Sequence, residues 1–437
     1  MPTAVSRRRP HESGGGRRAL ALACALLGTQ ASWANEGSDF SFSGFGTLSA
    51  VHSDDRDSDY RGSIVHPNGA GKSQAISTGV DSKFGVQIAK NFGNGLSGIV
   101  QAVADHRADN TYAPLLEWAN LKYDIGSNAY VRGGRVVAPV FMISDYRNVG
   151  YAQTPIRQPY DVYALNPITH LDGLDAGARF NVGDGVLSTS LAIGESKDLS
   201  NRYIVRGKTR MINLSYEQGA SMFRAMINRS TFDFIPYDTI VAGTTARIDA
   251  YKKSAALLAG IPAAGYPTAN LQFEDAKAKF WALGYTYDPG TWLLQAEYAS
   301  RKLPSLVIQD AVAWYVLGGY RVGKFTPFAS YSRVDSREPA AKPAAVAASS
   351  ALATPVMVVN LTDAISKPLI DQNTISLGVR YDLMRSVALK AQFDHISKPG
   401  SLSAPSNGHF TNVATGSSWQ TNKQSVNILS ASIDFVF

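Results

Sequence analysis

The stretch Ser425–Phe437, SVNILSASIDFVF, ends the chain and decides its fold. Every second residue from Leu429 to Phe437 is apolar, whereas the residues between them, from Ser430 to Asp434, are polar. This period of two is typical of a β-strand whose two faces meet different environments. In water such a strand would be a sticky edge. It is stable if it pairs with the first strand and closes a barrel whose outside is lipid.

The composition favours such a barrel. Of the 437 residues, 45% are hydrophobic and only 18% are charged, which is too polar for a bundle of membrane-spanning helices. The 38 glycines, 20 tyrosines and 18 phenylalanines supply turns and aromatic strand residues. Transmembrane barrels have this composition because half of each strand faces water.

The first 34 residues predict a cleaved signal peptide. A basic region that ends at Arg18 precedes a short apolar run, Ala19–Leu27, and small residues flank the cleavage position after Ala34. The single cysteine, Cys24, lies in this leader, so the mature chain has no disulfide. Cleavage removes five arginines and Glu12 and lowers the formal net charge from +7 to +3, which is no argument for nucleic-acid binding.

The rest of the chain repeats one pattern, in which two alternating segments are joined by a tight turn. Phe40–His52 is the first strand candidate, and Lys83–Asn91 and Leu96–Asp105 form the first such pair. With the last strand the count is about sixteen. The further pairs are Leu115–Tyr123 with Asn128–Val136, Leu174–Asn181 with Val186–Glu195, Arg210–Tyr216 with Met222–Phe232, Ala278–Tyr287 with Thr291–Arg301, Ala311–Tyr320 with Phe325–Asp335, and Thr374–Tyr381 with Val387–Ile396.

Long loops alternate with these short turns, as in outer-membrane barrels. On the strand near Trp292, apolar residues share one face while Gln295, Glu297 and Arg301 share the other. A barrel of about sixteen strands is wide enough for water, so the polar face lines the interior. We therefore predict an all-β fold, a transmembrane antiparallel up-and-down β-barrel, as a single domain from residue 35 to residue 437.

The third long connection, residues 137–173, is aromatic and apolar for a loop, which indicates that it packs against something. With the sixteen strands and the C-terminal Phe437, this loop resembles that of the general porins of Gram-negative outer membranes. The resemblance implies that the loop folds into the lumen and constricts it. It also implies a homotrimer in the outer membrane that passes small hydrophilic solutes and ions by diffusion. The acidic PEFGG-type loop tip of the enterobacterial members is absent, so selectivity cannot be transferred from them.

Strand parity and the loop sequence predict the residues that line the pore. Rows of opposite charge on the wall and on the loop would set a transverse field across the constriction. Arg135 faces away from Arg132 unless Gly133 and Gly134 form a bulge. The predicted wall residues are Lys83, Lys122, Arg132, Arg135, Arg179, Arg224, Arg380 and Lys390, and the predicted loop residues are Asp145, Arg147, Arg157 and Asp161.

Other functions find less support in the sequence. Gly69–Ser73 ends like a phosphate-binding loop, but the preceding glycine of that motif is replaced by His66. The histidines show no catalytic or metal-ligand spacing, so neither an enzyme nor a cofactor is expected. Two alternatives stay open: a channel specific for an organic acid, sugar or phosphate, and a barrel hydrolase.

Overall fold

The computed structural model describes residues 39–199, 203–236, 242–243, 246, 274–303, 308–337, 369–400, 406–413 and 417–437. The predicted signal peptide lies outside them. Within these residues, sixteen long strands form the wall of a barrel. They are β1 (Phe40–Ser53), β2 (Lys83–Gly93), β3 (Leu96–Asp105), β4 (Leu115–Ile125), β5 (Ala129–Val137), β6 (His170–Val182), β7 (Gly185–Leu199), β8 (Tyr203–Gln218), β9 (Ser221–Pro236), β10 (Ala276–Tyr287), β11 (Trp292–Lys302), β12 (Asp310–Tyr320), β13 (Phe325–Arg337), β14 (Gln372–Met384), β15 (Val387–Lys398) and β16 (Gln424–Val436).

Each wall strand pairs antiparallel with its neighbours in the chain, and the last strand closes the sheet on the first. The pairing of β1 with β16 runs from Phe45 opposite Val436 to Ser53 opposite Ile428. Closure leaves no exposed sheet edge, which satisfies the backbone of a sheet in lipid. The predicted sixteen-stranded antiparallel barrel is thereby confirmed.

The two faces of each strand differ as the alternation predicts. On β16, Leu429 and Ile433 point outward with exposed fractions of 58% and 45%, whereas Ser430 and Asp434 are buried inside. On β11, Trp292 is exposed and Glu297 is buried. The outer face is therefore apolar and the inner face polar, the arrangement of a barrel with lipid outside.

Several strands extend further on the long-loop side than predicted. β6 begins at His170 rather than Leu174, and β8 begins at Tyr203 rather than Arg210. The extra outward residues of β8 include Arg206 and Lys208, so the alternation of apolar and polar residues disappears while the ladder continues. The third loop consequently ends at Thr169, and its predicted C-terminal boundary at residue 173 was wrong.

The third loop folds into the barrel, as expected. It contains two short 3-10 turns, Ser144–Tyr146 and Gly150–Ala152, and one helical turn, α1 (Tyr160–Tyr163). Most of its apolar residues pack in one buried cluster with the inner wall, and Val149 packs in a second cluster with Phe45 and Val103. The loop members of the first cluster include Val140, Phe141, Met142, Ile143, Val162 and Leu165, and the wall members include Phe280, Tyr315 and Leu317.

The remaining regular elements are small. Two-residue strands at Asp59–Tyr60 and Ala70–Gly71 pair in the first long loop, and a second helical turn, α2, covers Ser418–Thr421. In the part of the chain that the structure describes, no helix is long and apolar enough to cross a membrane.

Two phenylalanine rings cover glycines at the seam, which yields a test of closure. A Cβ at Gly44 or Gly46 would lie 2.2 or 2.3 Å from the ring of Phe437 or Phe435. The double variant G44V/G46V should displace both rings and destabilise the barrel by about 1–3 kcal/mol. The measurement is the temperature at which the folded band is lost in heat-modifiability gels. G318A is the control, because a Cβ there meets nothing within 4 Å. Equal midpoints for all three proteins would contradict this account of the seam.

Candidate pore constriction

Three of the predicted wall cations bind the backbone of the third loop. Lys390, Arg224 and Arg380 point inward and donate hydrogen bonds to loop carbonyls. A buried carbonyl without a donor costs about 1–3 kcal/mol, so these bonds hold the loop against the wall. The acceptors are Gly150 and Pro155 for Lys390 (2.8 and 3.0 Å), Pro139 for Arg224 (3.0 Å) and Gln153 for Arg380 (2.9 Å).

Arg157 makes the reverse contact, from the loop to the barrel. Its guanidinium binds both carboxylate oxygens of Asp81, at 2.6 and 3.0 Å, and donates to Asp394 of β15 at 2.6 Å. A bidentate pair of this kind fixes orientation as well as distance. Arg157 is therefore an anchor with its charge compensated by two carboxylates.

Two buried acids complete the attachment of the loop. The carboxylate of Asp161 in α1 accepts hydrogen bonds from Ser332 and Gln372, both at 2.6 Å. Glu297 of β11 accepts from the N–H of Met142 at 2.9 Å and from the hydroxyl of Tyr163 at 2.5 Å. Burial raises the pKa of Asp161 to about 6. Asp161 thus binds the loop to the wall and Glu297 binds the wall to the loop, and neither acid faces open water.

A cavity of about 230 Å³ remains between the loop and the wall of β2 to β4. Arg147, Asn148 and Gln153 line it from the loop, and acidic and basic side chains line it from the wall. We call this space the passage. The wall residues that the argument uses are Lys83, Asp105, Glu117 and Asp198.

The charges around the passage differ from the expected arrangement. The wall contributes three acids, Asp105, Glu117 and Asp198, and the loop contributes Arg147, so much of the electrostatic field across the passage runs opposite to the expected direction. Glu117 lies 3.6 Å from His170, and it interacts electrostatically with Arg147. Among the described residues, Arg147 has no ion pair. Arg147 is therefore a loop cation that lines the passage without an ion-pair partner among the described residues.

A pair of histidines borders the passage on the long-loop side. The rings of His66 and His106 lie 4.8 Å apart, and both residues line the cavity. Burial lowers the pKa of His66 to about 3. This imidazole is therefore neutral at physiological pH and adds no positive charge to the passage.

Further predicted residues lie elsewhere in the lumen. Arg132 forms an inward ion pair with Asp175, at 2.7 Å, and Lys122 pairs with Asp124, also at 2.7 Å. Arg179 points inward, because Phe180, the next residue of the strand, points outward. The side chain of Arg179 is exposed. Asp145 of the loop interacts electrostatically with Arg132.

Arg135 does not line the pore. It binds Asp172 through two hydrogen bonds of 2.7 Å, and Asp172 is exposed on the outward face of β6 together with Leu174. Although Gly134 has a φ of +120°, the pairing of β5 with β6 runs without a shift, so Arg135 keeps the face opposite to Arg132. Strand parity, which places Arg132 and Arg135 on opposite faces, is therefore correct here. The bulge that would turn Arg135 inward is absent from the described pairing of β5 with β6.

Sequence reasoning missed the acids that receive the loop. Asp394, Asp434 and Glu297 all fall on the inward face by parity, but only loop acids were named as members of the constriction. Lys390 lies 3.0 Å from Asp434, which also accepts a hydrogen bond from Thr47 of β1 at 2.5 Å. The sequence did contain a signal for these acids, because they lie on the inward face of strands that also carry inward cations.

The closed wall, the apolar outer face and the inward-folded loop define a barrel of the porin type. No protein-family model matches the sequence, and a search of curated proteins returns no match. Among solved structures, the chain is similar to the outer membrane channel DcaP of Acinetobacter baumannii, with 10% identity, a TM-score of 0.54, and coverage of 92% of this chain and 99% of that chain.

A second similar structure is OmpF of Salmonella typhi in complex with daunomycin, at 14% identity and a TM-score of 0.51, covering 92% of this chain and 99% of that one. The anion-selective porin from Comamonas acidovorans aligns at 13% identity and a TM-score of 0.48, over 92% of this chain and 100% of that one. At such identities the likeness to DcaP and OmpF concerns the fold alone, which is that of Gram-negative outer-membrane porins.

Removal of one anchor should loosen the loop. The variant K390M takes the donor from two loop carbonyls and leaves Asp434 without its cation, which should destabilise the attachment by about 3–5 kcal/mol. We expect faster degradation of the loop by protease added to the folded protein. R333Q is the matched control, since Arg333 is an exposed cation that pairs with Asp335 on the outer face. A loop as resistant in K390M as in R333Q would show that Lys390 is not an anchor.

The raised pKa of Asp161 predicts a pH dependence of stability. An acid with a raised pKa in the folded state binds its proton more tightly when folded, so its contribution is largest below pH 4 and is lost as pH rises towards about 6. Relative to D161N, the wild type should lose up to about 3 kcal/mol between pH 4 and pH 7 in urea titrations. D184N, at an exposed turn residue, is the control. Parallel pH profiles for wild type and D161N would refute the assignment.

Proposed function

We propose that this chain forms a water-filled channel for passive diffusion of small hydrophilic solutes and ions across the outer membrane. The supporting observation is the passage, a polar space between an anchored loop and the wall of a closed barrel. Because the loop is attached by several ion pairs and hydrogen bonds, the passage has a fixed width. Solutes then move down their gradients without a cofactor or a chemical step.

The proposal includes the setting of the channel. The chain would be exported with a cleaved signal peptide, inserted in the outer membrane in contact with its lipid, and assembled as a homotrimer. The passage would not be an enzyme active site. The porin fold and the exposed apolar side chains of the outer face support the membrane placement. Chemical cross-linking of the folded protein tests the trimer.

A channel that prefers one class of solute is the second candidate. A volume of about 230 Å³ admits only a small molecule, and charges of both signs line it. Acids on one side and Arg147 on the other suit a compact polar solute that carries an anionic group, such as an organic acid or a phosphate. Conductance block by such solutes at low concentration would favour this candidate over general diffusion.

Single-channel recording tests the pore itself. Purified protein in a planar bilayer should give a persistent conductance that increases in proportion to salt concentration, because ions cross in water. Steps in groups of three would accompany a trimer. A silent bilayer with correctly folded protein would refute the channel.

Arg147 gives a test of where ions pass. The variant R147Q removes an unpaired cation from the passage, so the reversal potential in a salt gradient should shift towards cation selectivity. R333Q, which removes a paired cation from the outer face, should leave the reversal potential unchanged. Equal reversal potentials for R147Q and the wild type would show that ions do not pass beside Arg147.

A further inference from the structure

Four polar side chains are joined by hydrogen bonds on the outside of the barrel, at the long-loop end of β15 and β16. The hydroxyl oxygen of Ser425 lies 3.1 Å from Nε2 of His395, and Nδ1 of His395 lies 2.8 Å from Oδ1 of Asn427. Nδ2 of Asn427 donates to Oδ2 of Asp54 at 2.6 Å. We call these four residues the serine–histidine cluster.

The serine–histidine cluster borders the apolar belt. His395 is opposite Asn427 in the pairing of β15 with β16, and two residues towards the short turns Phe393 is opposite Leu429. Phe393 and Leu429 point outward, with exposed fractions of 40% and 58%. Since strand residues alternate between faces, His395, Asn427 and Ser425 point outward as well. At about 3.3 Å per residue, His395 lies about 7 Å beyond Phe393, where the hydrocarbon ends and the headgroups begin.

The hydrogen bonds fix which nitrogen of His395 carries the proton. The carboxylate of Asp54 can only accept, so the amide nitrogen of Asn427 points at Asp54 and the amide oxygen points at His395. That oxygen accepts a hydrogen bond from Nδ1, which leaves Nε2 free to accept from the hydroxyl of Ser425. Asp54 also accepts from the backbone N–H of Asn427 at 2.8 Å, so Asn427 is held at two points.

A hydroxyl, an imidazole that can take its proton and a group that orients the imidazole are the parts that activate a serine nucleophile. Sequence spacing did not reveal them, because His395 and Ser425 are 30 residues apart and meet only through the pairing of two strands. Ser425 is exposed, so its hydroxyl is accessible to a substrate outside the barrel.

The depth of the cluster selects the bond that Ser425 would meet. In a membrane lipid, the acyl esters lie between the hydrocarbon and the polar headgroup. An acyl chain packed on Phe393 and Leu429 would therefore bring its ester carbonyl to the level of the cluster. A soluble ester would gain nothing from this apolar approach.

We propose that the serine–histidine cluster hydrolyses the acyl esters of membrane lipids on the long-loop side of the barrel. Oγ of Ser425 forms a bond to the ester carbonyl carbon while its proton moves to Nε2 of His395. The bond to the alkoxy group then breaks, and the alcohol leaves with that proton. Water attacks the acyl group on Ser425, and His395 takes a proton from the water and returns it to Oγ as the fatty acid is released.

This activity goes beyond the proposed channel. It uses the proposed placement in the outer membrane but not diffusion through the passage, because the cluster lies on the opposite face of the wall. Ser425 and His395 would be the catalytic residues. Asn427 and Asp54 would act through His395 and are positioning residues.

The test uses the full chain in phosphatidylcholine vesicles, with released fatty acid measured by mass spectrometry. S425A should release it at least about 100-fold more slowly than the wild type, because the nucleophile is lost. S397A is the matched control, since Ser397 is the outward serine directly opposite Ser425, and its rate should stay within about twofold of the wild type. Vesicles that contain lipid A, tested in parallel, distinguish a glycerophospholipid from a glycolipid as the source of the ester.

A fluorophosphonate reports the nucleophile directly. It should label the wild type and S397A at Ser425, as mapped by peptide mass spectrometry, and should leave S425A unlabelled. This reagent reacts with activated serine hydroxyls, so a hydroxyl that only bonds to a neighbour would not be labelled.

Asn427 needs a readout that a merely structural residue would not change. N427A should lower the rate about 10- to 100-fold, because His395 loses the group that sets its proton and orientation. N427D should retain activity, and the acid limb of its pH–rate profile should move to higher pH, since a carboxylate stabilises the protonated imidazole more than an amide does.

Three outcomes would overturn the proposal: equal fatty-acid release by the wild type and S425A, labelling that does not depend on Ser425, and an N427D profile that coincides with that of the wild type. If S425A does not fold, labelling of the wild type at Ser425 still decides. Conductance should be unchanged in S425A, so a silent bilayer would refute the channel without bearing on ester hydrolysis.

Discussion

A loop inside a barrel must find hydrogen-bond donors for its own backbone, and this constraint governs the interior of the molecule. The third loop lacks the ladder of a strand and the repeat of a helix over most of its length. Its carbonyls at Gly150 and Pro155 are therefore served by Lys390, and that at Gln153 by Arg380. Since buried unpaired polar groups are costly, the wall needs inward cations at fixed positions.

Because these wall cations bind the loop, they contribute less to the charge of the open lumen than their inward direction suggests. Lys390, Arg380 and Arg224 face inward, as parity predicts, but the loop covers them. The charges that the loop leaves uncovered are above all Arg147 together with Asp105, Glu117 and Asp198 of the wall. A count of inward lysines and arginines therefore overstates the positive charge of the open part of the lumen.

The alternation of apolar and polar residues was enough to predict most of the fold, because the sequence of each strand by itself indicates which face is outward and which is inward. The contrast between Leu429 and Asp434, or between Trp292 and Glu297, is local and survives in the structure. The attachments of the loop are not local. Arg157 is separated from Asp81 by 76 residues and from Asp394 by 237, so no spacing rule connects them. Parity places such residues inside the barrel but does not distinguish a hydrated side chain from one buried beneath the loop.

The strands were predicted too short at their long-loop ends, because the prediction followed the apolar pattern rather than the backbone pairing. Hydrogen bonding between strands depends on backbone geometry and continues past the hydrocarbon, whereas the apolar signal stops where the hydrocarbon stops. Lys208 and Arg210 of β8 are still in the ladder although they break the alternation. A strand residue that is outward, charged and still paired through its backbone therefore marks the headgroup region.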